Sequence, residues 1–317
     1  MTRAQEIIDL LLVRDWQRAE SPVLGEWLPV WRSEQATLAG SDAFVAATAA
    51  ALRCDRLAWA FFSGYQGALQ SAFPGAVRYG SIGAFCVHES GRKISEICTL
   101  LDHRGGTLLL QGSKSWVLAG LDELTLLVLA RLRSGPSKGP GSLAVVQLPL
   151  RSAGASLGTS RPQSVVPELP HAEGHFNAVS LQDSQLLPGD GYSDHAKPFR
   201  LREDVFVTGC ALSYLLAEAR LASWPTSWCQ RCVAAIAGLH SCSELAPADA
   251  RTHILAAGAL SIAGDVIRES EHLWQEHQCA AHARWRRDRS LLAIGKDARR
   301  QRAIGSWSSI GWETERA

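Results

Sequence analysis

The sequence lacks any run of 18 uncharged apolar residues, so no membrane-spanning helix is expected. It lacks an excess of either charge sign. The 32 Lys and Arg residues and 31 Asp and Glu residues leave a formal net charge of +1, so the whole-protein field does not draw the chain to nucleic acid or to an anionic surface. It lacks a dense cysteine framework. The eight cysteines are scattered, which fits a reducing cytoplasm and not a disulfide-stapled secreted fold. Internal repeats and long low-complexity tracts are also missing, which excludes solenoid and filament architectures. The first segment, "MTRAQEIIDLLLVRDW", mixes Arg, Glu and Asp with its apolar residues and reads as an amphipathic helix rather than a signal peptide.

What is present divides into three parts. Residues 1–76 read as helical. Ile7, Ile8, Leu11, Leu12 and Trp16 share one helix face, "SDAFVAATAAALRCD" opens on a Ser-Asp cap, and Pro74-Gly75 closes the last helix. Residues 77–190 change to short apolar or alternating runs separated by Gly, Pro and Ser, including "GAFCVHE", "TLLLQG", "SKSWVLA", "LTLLVLARL", "SLAVVQLPL" and "FNAVSLQD". Such runs predict a β-barrel or sandwich. "DHRGGTLLLQGSKSWVLAG" reads as a hairpin turning at Gly105-Gly106, followed by a further strand, and "SGPSKGPGS" reads as a connection between two runs. Residues 191–317 are helical again. The segment "LREDVFVTGCALSYLLAEARLASW" is apolar almost all round and is expected to be buried on most sides.

Several side chains have two readings. Trp116, between Lys114 and a glycine turn, either fills a sheet core or offers a flat wall to a flat ligand. Glu203 and Asp204 are either a charged helix start or a base with a neighbour. Cys229 and Cys232 of "CQRC", with His240 and Cys242 following, suggest metal, but a helical setting favours buried structural thiols, and no metal is expected. His272, His277 and His282 spread around a helix and suit solvated or interhelical roles. The basic run "ARWRRDRSLLAIGKDARRQR" reads first as a solvated face with Leu291, Leu292 and Ile294 inward, second as an anion site, and third as a DNA-backbone patch.

Helices, a β-region and helices again, in this order, resemble the acyl-CoA dehydrogenase family. "GSKSWVLAG" carries Gly112, Lys114, Trp116 and Gly120 of that family's Gly-x-Lys-x-Trp segment. "GAFCVHESG" is similar to its Thr-Glu-Pro-Gly strand, "VSLQDSQLLPGDGY" to its exit from the β-domain, and "RWRRDRSLLAI" to its late Arg-Asp helix. The resemblance implies an α+β multidomain fold: an N-terminal helical domain (1–76, short for the family), a middle β-domain (77–190) and a C-terminal four-helix bundle (191–317). It implies FAD held between the β-domain and the bundle, an acyl-CoA or similar thioester as substrate, and a cytoplasmic homodimer or higher assembly. It assigns the cofactor contacts to Phe85, Val87, His88, Trp116, Val117 and Leu118. Some family branches place the catalytic carboxylate about six residues before a glycine on the first long bundle helix, the spacing of Glu203 to Gly209 here, with Asp204 as the alternative. Departures are also clear. Leu118 replaces a hydroxyl-bearing residue, His88 replaces Thr, and "GRKISEI" replaces Gly-Ser-Asp. The Arg-x-Phe-Gly and Tyr-Glu-Gly-Thr segments are absent, with "SWPTSWCQRC" and "IGKDARRQRAIG" in their places. These departures imply weak flavin retention. They keep open a second expectation, a catalytically inactive relative serving as a binding or heteromeric subunit.

Overall fold

The structure, a computed structural model, describes residues 2–104, 107–134, 142–161, 163–276 and 280–312. The Gly105-Gly106 turn, most of "SGPSKGPGS" and His277 lie outside the described residues. The chain forms two compact units, one of residues 1–71, 164–168 and 201–317, the other of residues 72–163 and 169–200.

The first unit is helical. It contains α1 (Arg3–Leu12), α2 (Leu24–Thr37), α3 (Ala43–Leu52), α4 (Leu57–Ala72, of which the last residue belongs to the second unit), α5 (Lys197–Leu221, from Leu201 onward), α6 (Thr226–Ser243), α7 (Ala250–Glu276), α8 (Ala280–Asp288) and α9 (Lys296–Ser309). α1 stops sooner than its apolar spacing predicts, so Trp16 lies beyond it and packs under the Arg220 guanidinium, 5.1 Å from the ring centroid. α3 starts as expected, because Asp42 Oδ1 accepts the Val45 N–H at 2.9 Å and satisfies one of the first-turn donors. α5 is buried over most of its length, from Leu201 through Ala219. Gly209 is the reason α3 can lie so close to it: a Cβ there would meet the Phe44 ring at 2.5 Å. Phe44 also packs edge-on against Phe206 at 5.2 Å.

The second unit holds, among its described residues, a seven-stranded mixed sheet of order β1-β4-β2-β3-β7-β6, with β5 also paired to β4. The strands are β1 (Gly83–Cys86), β2 (Leu100–Arg104), β3 (Thr107–Leu118), β4 (Thr125–Ser134), β5 (Leu143–Pro149), β6 (Ala155–Leu157) and β7 (His171–Leu181). β4 runs parallel to β1 and to β2 along different stretches and antiparallel to β5. The predicted hairpin is present, since Leu100 to Arg104 pair antiparallel with Gln111 to Thr107. The further strand is not. "TLLLQG" and "SKSWVL" are one strand, β3, which stays paired to β7 across two register shifts, at Leu110/Gly112 and Lys114/Val117. Each shift is a bulge that bends the strand without ending it. The first needs Gly112, whose φ is +140° and where a Cβ would meet Thr99 Cα at 2.7 Å.

Candidate functional site

The second bulge places Trp116. Its φ is +63°, a left-handed backbone that is rare for an aromatic residue, and 63% of it is exposed. The core reading of Trp116 is therefore wrong, because the bulge turns its side chain away from the sheet interior, where Val117 on the following position is buried. Local strain of this kind persists only where the surroundings over-determine it, and it gathers at functional sites. The indole lies edge-on to His171 at 6.1 Å, and both line a cavity of about 130 Å³ with Ser90, Arg161, Gln163 and Glu173. Burial holds the His171 imidazole below its ordinary pKa, against the opposing pull of the Leu169 backbone carbonyl.

The other residues assigned to the cofactor sit close by in the same unit. The His88 carbonyl accepts the Ser115 N–H at 2.8 Å, so the chain leaving β1 runs beside Trp116. His88 has its pKa lowered by desolvation of its ring and by repulsion from Arg200 and Lys114. Phe85 is buried and packs edge-on against Phe73 and Phe199 at 5.1 and 5.2 Å. Val117 and Leu118 are buried in the sheet, so their side chains serve the core. Val87 accepts a hydrogen bond through its carbonyl from Lys114 Nζ at 3.3 Å.

Beneath this surface lies a pair the sequence reading missed. Lys114 is fully buried, and its Nζ meets Glu89 Oε1 at 2.8 Å. Glu89 also accepts the Cys98 N–H, the Thr99 N–H and the Thr99 hydroxyl. The pair ties the end of "GAFCVHE" to β3 two residues before Trp116, which makes it the clamp behind the bulge.

In the helical unit, Glu203 is half-buried on α5. Its neighbours are firmly held. Arg202 donates to Ser71 Oγ at 2.6 Å, and Asp204 is bridged by Arg299 at 2.9 Å and by Arg302. Burial pushes the Asp204 pKa up in spite of both guanidinium groups. These two arginines belong to the basic run, which is a solvated face only in part: Arg286, Lys296 and Arg300 are exposed, while other members are drawn into ion pairs. Arg284 reaches the Asp55 carbonyl at 3.0 Å, Arg287 clamps Glu168 at 2.8 Å, and Arg289 meets Glu271. Ile294 is 68% exposed, and Leu291 and Leu292, in a short 3-10 turn that Arg289 ties to Glu271, are only half-buried. The Arg-Asp motif has a structural use here: Asp288 is fully buried and accepts the Val166 N–H at 2.8 Å, pinning residues 164–168. Cys232 is buried on α6, its Sγ 3.4 Å from the Leu212 carbonyl, while Cys229 is half-buried on the same helix. His282 stacks on Trp274 at 5.6 Å.

Glu218, farther along α5, was not flagged by the sequence, although a lone acid in "SYLLAEARL" was a signal. It is 4% exposed, and burial raises its pKa to about 7 against the pull of Arg18 and Arg284. A carboxyl with a raised folded-state pKa binds more protons folded than unfolded between about pH 4.5 and 7, so stability falls as pH rises across that window. Glu218→Gln is expected to flatten the pH dependence of the melting temperature there. An unchanged slope would count against the shift.

No family model matches the sequence, and no curated protein does. Solved structures do. Dibenzothiophene monooxygenase TdsC from Paenibacillus sp. A11-2, in its FMN-bound form, is similar over 98% of this chain and 97% of its own, with a TM-score of 0.72 at 16% identity. The acyl-CoA dehydrogenase fold is the fold of this chain. Butyryl-CoA dehydrogenase from Megasphaera elsdenii aligns over 93% of this chain and all of its own, with a TM-score of 0.59 and 15% identity. Glutaryl-CoA dehydrogenase from Mycobacterium smegmatis, in complex with FADH2, aligns over 99% and 95%, with a TM-score of 0.64 and 15% identity. Among the described residues no helix of this acyl-CoA dehydrogenase-fold chain is long and apolar enough to cross a membrane.

Proposed function

We propose that the protein is a flavin-dependent oxidoreductase acting on an acyl-CoA or similar thioester, with Trp116 as the wall for the flavin ring. The observation that carries this reading is the exposed, left-handed Trp116, whose indole faces outward beside a cavity instead of into the sheet. A flat apolar face beside a cavity that offers serine, arginine and imidazole groups fits a planar ring with polar edges. The FMN- and FADH2-bound forms of similar structures support a flavin of either kind, with FAD as the proposal here. When bound, the flavin supplies a two-electron acceptor for hydride. The chain's own part is to bind and orient. His88 and the 115–118 backbone would hold the ring, and Glu203 would take the proton α to the thioester carbonyl onto its carboxylate. Leu118 has no hydroxyl and its side chain lies in the sheet core, so one hydrogen bond of the family would be missing, a loss of about 1–3 kcal/mol, and the flavin is proposed to exchange.

Trp116→Ala is expected to weaken flavin binding by roughly fivefold, the scale of one aromatic stacking contact, while the fold survives because the side chain is exposed. Fluorescence titration with FAD and with FMN reads it. Equal affinity for both proteins would remove Trp116 from the site.

A second reading is a non-catalytic relative that keeps the fold as a binding subunit. It is favoured by α9, which stands where the family has its Tyr-Glu-Gly-Thr loop and spends Arg299 and Arg302 on Asp204. A purified protein that takes up no flavin, and is therefore colourless, selects this reading. A homodimer or higher assembly belongs to either proposal. The apolarity of α5 does not demand it, since that helix is buried in the chain itself. The support comes from α7, where Leu255 and Ile262 are exposed on a stripe with Gly258 between them. Light scattering at micromolar concentration should give at least twice the chain mass, and Ile262→Glu should reduce it. Monomer alone would sink this part.

A further inference from the structure

We propose that Asp42, His240 and Glu244 form a binding site for one divalent transition-metal ion of the zinc class, with the Arg3 guanidinium as its competitor. His240 and Glu244 are four residues apart at the end of α6, so they face the same side. Asp42 comes from the N-cap of α3 and meets them there: its Oδ2 lies 2.8 Å from His240 Nε2. One ligand atom from each of the three residues lies within 4.8 Å of the others. A tetrahedral zinc ion with bonds of about 2.0–2.2 Å holds its ligands roughly 3.3–3.5 Å apart. The widest gap must therefore close by a little over 1 Å, and Glu244 is exposed enough to swing in.

The other two ligands stand side by side. Asp42 keeps Oδ1 on the Val45 N–H, while its Oδ2 shares a proton with His240 Nε2 at 2.8 Å, and an ion entering there displaces that proton and opens the pair by about 0.5 Å. His240 is 2% exposed, with its ring 5.5 Å from that of Phe44. One imidazole and two carboxylates suit zinc and its neighbours, and three protein ligands leave a fourth position open. The place already draws positive charge. Arg3 Nη1 sits 2.7 Å from Glu244 Oε1 and is also attracted by Asp42. Arg3 is largely exposed, so an ion can displace it at little cost. The "CQRC" cysteines lie earlier on α6, and the converging donor set is built from oxygen and nitrogen instead of sulfur.

The test is calorimetric titration of the full-length protein with zinc chloride. Wild type is expected to bind one ion per chain, and Arg3→Ala to bind it more tightly, because the competitor is gone. Glu244→Gln and Asp42→Asn are expected to weaken binding by about tenfold or more. Asn still offers a capping oxygen, and Glu244 is at the surface, so both variants should fold, which a melting curve checks. Cobalt in place of zinc should give the absorption bands of a four-coordinate ion in wild type and lose them in Glu244→Gln. Failure of both wild type and Arg3→Ala to bind one ion, or binding that is unchanged in both carboxamide variants, overturns the proposal.

Discussion

Lys114→Met is expected to cost about 3–5 kcal/mol of stability, the scale of leaving one member of a buried ion pair alone. Met preserves most of the length and volume, so the loss comes from charge and not from a cavity. Glu89 keeps the N–H groups of Cys98 and Thr99 and the Thr99 hydroxyl, which places the effect toward the lower end. The pH dependence tests the cause. Burial alone would raise the Glu89 pKa, but the hydrogen bonds from Lys114, Cys98 and Thr99 outweigh it and hold the value at about 2, below the ordinary 4.5. A carboxyl depressed in the folded state contributes stability that is fully present above about pH 4.5 and is lost as pH falls toward 2. The gap between wild type and Lys114→Met should therefore narrow through that window, because the unfolded chain takes up a proton at Glu89 that the wild-type fold still resists. Urea unfolding at about pH 7 and about pH 3 measures it. A gap of the same size at both values would mean that packing, and not charge, explains the loss.

Glu203→Gln is expected to lower turnover by about 10²-fold or more if the protein is an active dehydrogenase, the usual scale of a lost general base. Gln keeps the size and removes the proton acceptor, so flavin uptake and melting should be unchanged. Asp204→Asn separates chemistry from architecture. It weakens the bridge to Arg299 and Arg302 and is expected to destabilise by about 1–3 kcal/mol while sparing turnover in the folded fraction. If Asp204→Asn abolishes turnover without loss of stability and Glu203→Gln leaves it intact, the two roles are reversed. If neither changes a measurable turnover, no base resides on this part of α5.

The parts of the fold that were legible in the sequence rest on local rules. Asp42 caps α3 because its neighbours present free N–H groups, and α5 is buried because almost every face of it is apolar. The continuity of β3 was not legible. A bulge is set by the partner strand, and nothing in "LLLQGSKSWVL" tells a bulge from a turn. Trp116 was found, but its exposure was not, since the backbone conformation that turns it outward depends on the register with β7. The Lys114–Glu89 pair joins residues 25 apart, and sequence distance gave no sign that β3 and the end of β1 meet there. The paired part of the basic run was hidden for the same reason. Its partners Asp55, Glu168 and Asp204 come from remote segments, so the run looked like solvent-facing charge. The ligands of the proposed metal site were invisible in the same way, with Asp42 and His240 198 residues apart.

The division of the chain has a consequence for its biosynthesis. Residues 1–71 share a unit with 201–317, so 72–200, all but 164–168 of them in the other unit, must leave the ribosome first. At about 5–20 residues per second, that interval lasts on the order of 6–26 s. During it the Phe44 face of α3 has been made but its covers, Phe206 and Gly209, have not. Until then this apolar face lacks its covers, so the helical unit completes its core only after residues 201–317 are made.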